Sequence, residues 1–438
     1  MRLVHPEHPG RAVRLAYCLN LHPARDLAGL LEGMTRITLP LARRFDVHRL
    51  REGFGVGLWL PADLAMGLTV DAGAGELDRL LEFLGENRLD AFTFNAFPYR
   101  GFHDEGLKEA VFRPTWRAPE RLAYTLAVAQ IARAAREAGP ARGRSGSHLS
   151  ISTHSGMLRS AVTGEGDLDL CAENFCLAAL AFAELERDSG ERIVLALEPE
   201  PRSVANDTSE LPGLLERVRF RSREVLGRRL GALREESETI VRRHVGACLD
   251  TCHAAVEFED PRAAFENATA AGSPLGKIQF SSALALRGPA ARAHARELLL
   301  GMDEPRFLHQ VTGRGAAGLV RALDLPDLRS AIERDPRWRA CEEWRCHFHV
   351  PVDLARVGHG EEGLETTRDA ADRALAAALA TPNRWGSDEL HVEIETYTWS
   401  VLPSAARGEG DLVDGLEREY RHVLGELARA GWRPAWAG

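Results

Sequence analysis

The chain has 438 residues, 45% hydrophobic and 27% charged, which is the usage of an ordinary folded protein with material for a large core. Its net charge of −9 and pI near 6.0 give no general electrostatic case for binding nucleic acid or an anionic membrane. No run of ~18 apolar residues occurs, and the opening MRLVHPEHPGRAVRLAY has no apolar centre for a signal peptide, so neither a membrane span nor export is expected.

Arg14 to Leu21 (RLAYCLNL) reads as the first strand and ends at His22. An amphipathic segment follows from Asp26 to Arg44. Phe54 to Leu60 (FGVGLWL) is the strand candidate most readily demoted to an inserted hairpin, and Glu76 to Asn87 reads as a helix. Ala91 to Ala96 (AFTFNA) is a strand ending at Asn95, after which a polar loop carries His103 and Lys108. Pro119 to Glu137 is an Ala-rich helix with proline at its first position. His148 to Thr153 (HLSIST) is a strand ending at His154, Leu168 to Arg187 is helical, and Ile193 to Leu197 (IVLAL) is an apolar strand ending at Glu198.

A charged helical excursion fills residues 208–244, its arginines interleaved with glutamates as on a solvated helix. Val245 to Leu249 is the next strand, and it delivers Asp250 and, three residues on, His253. A helix from Pro261 to Ala271 leads to Lys277 to Phe280 (KIQF), which carries Gln279. Residues 281–344 read as an irregular insertion with helical pieces. Arg345 to Val350 (RCHFHV) is a strand on which the barrel resumes, Thr366 to Ala380 a helix, His391 to Tyr397 (HVEIETY) a last strand, and Asp411 to Ala430 a closing helix.

Short apolar strands alternating with amphipathic helices predict parallel βαβ units, and about nine strand candidates approach the eight of a (β/α)8 TIM barrel. One α/β domain over residues 1–438, with insertions at 208–244 and 281–344, is the expected architecture. No Gly-rich phosphate fingerprint follows the first strand, which argues against a dinucleotide-binding sheet. The seven cysteines form no CxxC pair and predict reduced, mostly buried thiols in the cytoplasm.

Polar residues collect at strand carboxyl ends, where such barrels build their sites: His22, Asn95, His154, Glu198, Asp250 with His253, Gln279, His347 with His349, and Glu393 with Glu395. Residues two apart on a strand share a face, so each of the last two pairs points one way. Singly, each residue has a plain structural reading, Asp250 and Glu198 as helix caps, His349 as a packed histidine, Gln279 as a hydrogen bonder in the barrel core. Together, carboxylates and imidazoles gathered at one mouth have the composition of a site for a divalent metal ion, Mn, Zn, Fe or Mg.

On these residues the chain resembles the xylose isomerase-like TIM barrels, the superfamily of sugar isomerases, sugar epimerases and endonuclease IV. The resemblance implies a metal held by Glu198, Asp250 with His253, Gln279 and Glu395, with His154, His347 and His349 in the places of further endonuclease IV ligands. Asn95 and Gln279 stand where that enzyme has histidine. The stretches YCLNLHP, FNAFPYRGFHDEGLKEAVFRPTW, ISTHSG, LALEPEP, CLDTCHAAVEFE, KIQFSSAL, FLHQV, CHFHVPV and HVEIETYTWSVLP are similar to the EboE family, metabolite-traffic proteins of bacterial Ebo clusters.

The reaction expected is metal-dependent isomerisation or epimerisation of a small polyol or keto metabolite. Glu198 and Glu395 would act as acid and base, His253 and Lys108 would hold or polarise substrate oxygens, and His22, Asn95 and Glu393 would contact the substrate. Two other classes stay open: a two- or three-metal hydrolase of a small phosphate ester, and a non-catalytic metabolite-binding barrel. The partners expected are a small molecule and other proteins of the same pathway, with no nucleic acid and no membrane insertion. A homo-oligomer is left open.

Overall fold

Eight of the apolar runs become parallel strands that close on themselves in the computed structural model, which describes residues 1–22, 24–101, 103–141, 147–231, 234–358, 363–402 and 410–436. A short β1 (Arg2–Val4) precedes them. The first seven barrel strands are β2 (Ala12–Cys18), β3 (Phe54–Trp59), β4 (Leu89–Asn95), β5 (His148–His154), β6 (Arg192–Glu198), β7 (Val245–Asp250) and β8 (Leu275–Phe280). The eighth barrel strand, β15 (Glu389–Ile394), pairs with β8 on one side and β2 on the other, so the sheet has no free edge. Parallel neighbours cannot be joined by tight turns, and helices make the crossovers. This is a (β/α)8 TIM barrel. Outside it, β1 pairs antiparallel with β2 and with β16 (Arg433–Pro434).

FGVGLWL is a barrel strand, β3, paired in parallel with β2 and β4, and the expected demotion to a hairpin is wrong. Its two glycines weaken the strand pattern, yet the barrel requires the second. A Cβ on Gly57 would stand 1.5 Å from Glu393 Oε1, so only glycine leaves room for that carboxylate.

RCHFHV corrects the expectation in the other direction. After β8 the chain leaves the barrel and forms β9 (Ser282–Arg287), β10 (Val311–Gly315), β11 (Gly318–Ala322), β12 (Glu343–Val350), β13 (Arg356–Val357) and β14 (Leu364–Thr366). These make a separate antiparallel sheet in the order β11-β10-β12-β9-β14-β13. The insertion therefore runs past residue 344 to Thr366 and includes RCHFHV. The reason lies in its alternation: Trp344, Cys346, Phe348 and Val350 face the insertion's own apolar core. Its other face, with His347 and His349, is buried against the barrel mouth, so antiparallel pairing with β9 and β10 is what sets β12 apart from a barrel strand. The excursion after β6 is two helices, Leu211–Leu230 and Arg234–His244.

The barrel lumen is polar. On β15, Leu390, Val392 and Ile394 join the apolar layer under the helices, while the alternate residues reach across the barrel. Arg14 pairs with Asp90 and Glu389 in the lowest layer. Above it the rings of His148 and His391 stack at 4.0 Å, and Ser150 Oγ lies 2.9 Å from His391 Nδ1. Next, Lys277 Nζ donates to Glu393 Oε2 at 2.5 Å and to Asn95 Oδ1 at 2.8 Å. All seven cysteines are buried and free of disulfides, and among the described residues no helix is long and apolar enough to cross a membrane.

Burial holds the His148 imidazole neutral, its pKa lowered to about 4. An unfolded histidine takes its proton near ~6.5, so this side chain's contribution to stability is complete above that pH and is lost as pH falls toward 4. In urea unfolding, the deficit of His148→Gln against wild type is therefore expected to be larger at pH 7.5 than at pH 5.0. An equal deficit at both pH values would mean that the folded barrel protonates His148 readily.

Candidate metal centre

Asp250 ends β7 and caps the helix Thr251–Val256. Its Oδ1 accepts from Cys252 N at 2.6 Å, His253 N at 3.0 Å and Ser281 Oγ at 2.9 Å. The capping reading and the ligand reading are thus both satisfied, one by each oxygen. Oδ2 is buried, has no hydrogen-bond partner among the described residues, and lies 3.9 Å from the Nε2 atoms of both His253 and His349.

His347 and His349 reach the same place from the inserted sheet. The register between β12 and β9 shifts between Cys346 and Val350, a bulge that releases this stretch from regular pairing. Bulges of this kind re-aim side chains. Phe348 turns into the insertion core and stacks on His309 at 3.7 Å, while the flanking histidines face the barrel mouth.

Three Nε2 atoms then converge. His347 Nε2 stands 2.8 Å from His349 Nε2 and 3.1 Å from His253 Nε2, and the last two are 3.4 Å apart. Each Nδ1 faces an oxygen that has no hydrogen to give. His253 Nδ1 donates to Pro199 O at 3.0 Å, His347 Nδ1 to Gln310 Oε1 at 2.5 Å, and His349 Nδ1 to Glu395 O at 3.2 Å. The Gln310 amide is itself oriented, because its Nε2 donates to Glu200 Oε1 and Pro201 O. With the protons on Nδ1, three lone pairs point at one another. Burial holds His347 well below the ordinary imidazole range and His349 at about 4, which removes protonation as a remedy at neutral pH. Nitrogens that share one tetrahedral ion at ~2.0–2.1 Å stand roughly 3.3–3.4 Å apart. The donor set and the stranded Asp250 Oδ2 fit a divalent ion, with Glu200 also within reach of His253 and His347.

A second donor group, Glu198, Asp250 and Glu395, shares Asp250 with the first. Both glutamates are pushed well above the usual carboxylate range, first by burial and then by the Asp250 charge. Glu395 Oε1 accepts from Asn20 Nδ2 at 2.7 Å and Oε2 from Gln279 Nε2 at 2.8 Å. The second Gln279 donor contact, to Asn95 Oδ1 at 3.3 Å, leaves Gln279 Oε1 buried and unpartnered among the described residues.

A cavity of about 50 Å³ opens above these groups, with Asn95, Glu198, Glu200, Gln279 and Glu395 among its polar lining and Phe97, Phe307 and Tyr397 among its aromatic walls. Its roof joins two loops, Gly106 N donating to Pro305 O at 2.8 Å and Lys108 N to Arg306 O at 3.0 Å. The Lys108 ammonium, expected to hold substrate oxygens, pairs with Asp324 at 2.8 Å and Asp303 at 3.2 Å at the rim.

The other residues singled out from sequence lie apart from the converging donors. The His154 ring stands edge-on to Phe97 and Phe112, and its Nδ1 accepts from Gly156 N at 3.2 Å. His22 is buried beside Tyr17, its Nε2 3.3 Å from the phenol oxygen. Glu393 lies one layer below the cavity in the Lys277 pair. Residues that the strand-end rule missed are Glu200, Gln310, Tyr397 and Lys277. Glu200 and Gln310 sit inside the quoted stretches LALEPEP and FLHQV. Tyr397 stacks on His349 at 4.6 Å, with its hydroxyl 3.4 Å from His347 Nε2.

No protein-family model matches the chain, and no curated protein does. Among solved structures it is similar to the probable 3-DHS dehydratase AsbF, involved in petrobactin synthesis, from Bacillus anthracis. That match has a TM-score of 0.42 and 12% identity over 94% of this chain and 99% of that one. It is also similar to the IOLI protein with a bound zinc atom, with a TM-score of 0.41 and 10% identity over 95% of this chain and 99% of that one. The barrel assignment rests on the closed strand order of the chain itself.

The Lys277–Glu393 pair is fully buried, and removing one partner leaves an uncompensated charge in the lumen. Lys277→Met is expected to lower the unfolding free energy of the metal-free protein by ~3–5 kcal/mol, with part of the loss recovered in Lys277→Met/Glu393→Leu. Urea unfolding measures both. A single-variant loss below ~1 kcal/mol, the range of exposed pairs, would show that water reaches this layer.

Proposed function

We propose that this barrel is a divalent-metal-dependent enzyme of the xylose isomerase-like superfamily that isomerises or epimerises a small polyol or keto metabolite. The observation that carries the reading is the convergence of three imidazole lone pairs and the stranded Asp250 Oδ2 on one point. His253, His347, His349 and Asp250 would hold the ion, with Glu198, Glu200 and Glu395 beside it. Once bound, such an ion supplies Lewis acidity toward a substrate carbonyl or hydroxyl oxygen.

The remaining work falls to the chain. Burial pushes Glu200 up to about 7, so near neutral pH it can both take and return a proton. Burial and the neighbouring Asp250 also push Glu198 and Glu395 well above the usual carboxylate range, which puts two further proton-carrying groups at the cavity. Gln279 Oε1 offers a fixed acceptor for a substrate hydroxyl, and Phe97, Phe307 and Tyr397 exclude water. A cavity of about 50 Å³ suits a small molecule. Barrel and inserted sheet would act as one unit, since both contribute donors. The pathway, synthesis or trafficking of a secondary-metabolite precursor, rests on the likeness of the quoted stretches to the EboE family. Several of those stretches meet around this cavity.

One observation favours a second reading. The histidine group and the carboxylate group share Asp250, as the two halves of a dinuclear hydrolase of small phosphate esters do. Elemental analysis and zinc titration of metal-stripped protein separate the readings. One tightly bound equivalent, lost in Asp250→Asn and in His347→Ala, is expected. A second equivalent lost selectively in Glu198→Gln would favour hydrolysis, and absence of any bound ion in wild type would overturn the enzyme proposal in favour of a carrier.

A further inference from the structure

The closing helix Leu412–Arg429 carries a carboxylate that the chemistry above does not use. Glu419 is fully buried. Its Oε2 accepts from Val352 N at 3.2 Å and Thr396 Oγ1 at 2.5 Å, and its Oε1 accepts from Trp399 Nε1 at 3.1 Å. No salt bridge to Glu419 occurs among the described residues, and the charge that acts on it is a second acid, Asp353. Burying a carboxylate without a counter-charge is costly, and three donors offset only part of that cost.

The three donors share a pattern. Val352 lies three residues beyond His349, Thr396 immediately follows Glu395, and Trp399 lies two residues beyond Tyr397. One carboxylate thus grips the exit of β12, which belongs to the inserted sheet, and the exit of β15, which belongs to the barrel. The two exits also touch directly: Thr398 Oγ1 donates to His349 O at 2.7 Å, and His349 Nδ1 donates to Glu395 O. The bulge frees this stretch from regular pairing with β9, so the contacts at its exit, with the stacking of Tyr397 on His349, carry the placement of that ring over the barrel.

We infer that Glu419 is a positioning residue for the metal centre: its carboxylate locks the inserted strand that carries His349 to the barrel turn that follows Glu395. The inference rests on the metal reading above and adds a residue that touches neither ion nor substrate. Loss of a partner bonded directly to a metal ligand typically costs ~10–100-fold in affinity, and Glu419 acts one step further out, through the residues that follow His349 and Glu395.

The test is titration of metal-stripped full-length protein with zinc, and with cobalt(II), whose visible absorption reports coordination geometry. In Glu419→Gln, which keeps the volume but replaces an acceptor oxygen with an NH2 group, zinc affinity is expected to fall by roughly 10-fold, the lower end of the range for direct partners of a ligand, with an altered cobalt spectrum. Glu419→Ala should do the same if it folds. Val423→Ala, a cavity on the same helix away from the three donors, should lower thermal stability and leave affinity and spectrum unchanged. Wild-type affinity and spectrum in Glu419→Gln would overturn the inference, and so would an equal loss in Val423→Ala, which would trace the effect to stability. A wild-type protein that binds no zinc or cobalt removes the metal reading itself. Binding in wild type that is undiminished in Glu419→Gln removes only the clamp.

Discussion

Imidazoles whose Nδ1 protons are already committed to oxygens cannot hydrogen-bond to one another, and three such rings pointing their Nε2 atoms together repel. That constraint governs the mouth of this barrel. Pro199 O, Gln310 Oε1 and Glu395 O fix the tautomers of His253, His347 and His349, so the repulsion is built in by the surrounding backbone and one amide. Burial disfavours protonation of His347 and His349. A cation bound among the three Nε2 atoms, as proposed above, would relieve that repulsion, and the hydrogen bonds to the Nδ1 atoms hold the rings in place.

The inserted sheet is docked by polar contacts. Arg202 takes a positive φ of 71°, uncommon for a residue with a side chain. From there its guanidinium reaches Glu257 Oε1 at 2.5 Å, Val311 O at 2.6 Å and Thr312 Oγ1 at 3.0 Å. Arg321 of β11 donates to the other oxygen of Glu257 at 2.8 Å. Barrel loop and sheet therefore meet through an ion-pair network that is largely shielded from water, where such contacts are directional. A ligand set assembled from two substructures needs that directionality, since apolar packing alone would let the sheet slide.

How much of this was legible in the sequence depended on how local the signal was. Barrel strands such as IVLAL and the polar residues ending them announce themselves within a few residues, and β6, β7 and β8 lie where the apolar runs put them. β3 was undervalued because its second glycine, Gly57, answers to Glu393, a partner 336 positions away in the chain. RCHFHV failed for a related reason: its strand character was correct, but its sheet depends on pairing with β9 and β10. At the site, Asp250 with His253 could be read because one turn presents both. Gln310 and Glu419 could not, since their roles exist only where the insertion folds back on the barrel. Lys277 carries no local signal either, since its role exists only once closure places Glu393 opposite it.

The insertion between β8 and β15 has one more consequence. Barrel strands and their first turns contribute the carboxylates Glu198, Glu200, Asp250 and Glu395 and a single imidazole, His253, whereas the insertion contributes only imidazoles, His347 and His349. Oxygen donors suit hard ions such as Mg and Mn, and imidazole suits Zn, Fe and Cu. Hardness is thus divided along the same line as structural origin. If the centre holds an ion as proposed, remodelling the appendage would shift the donor set toward oxygen or nitrogen without touching the closed strand order of the barrel, so metal choice would lie with the graft.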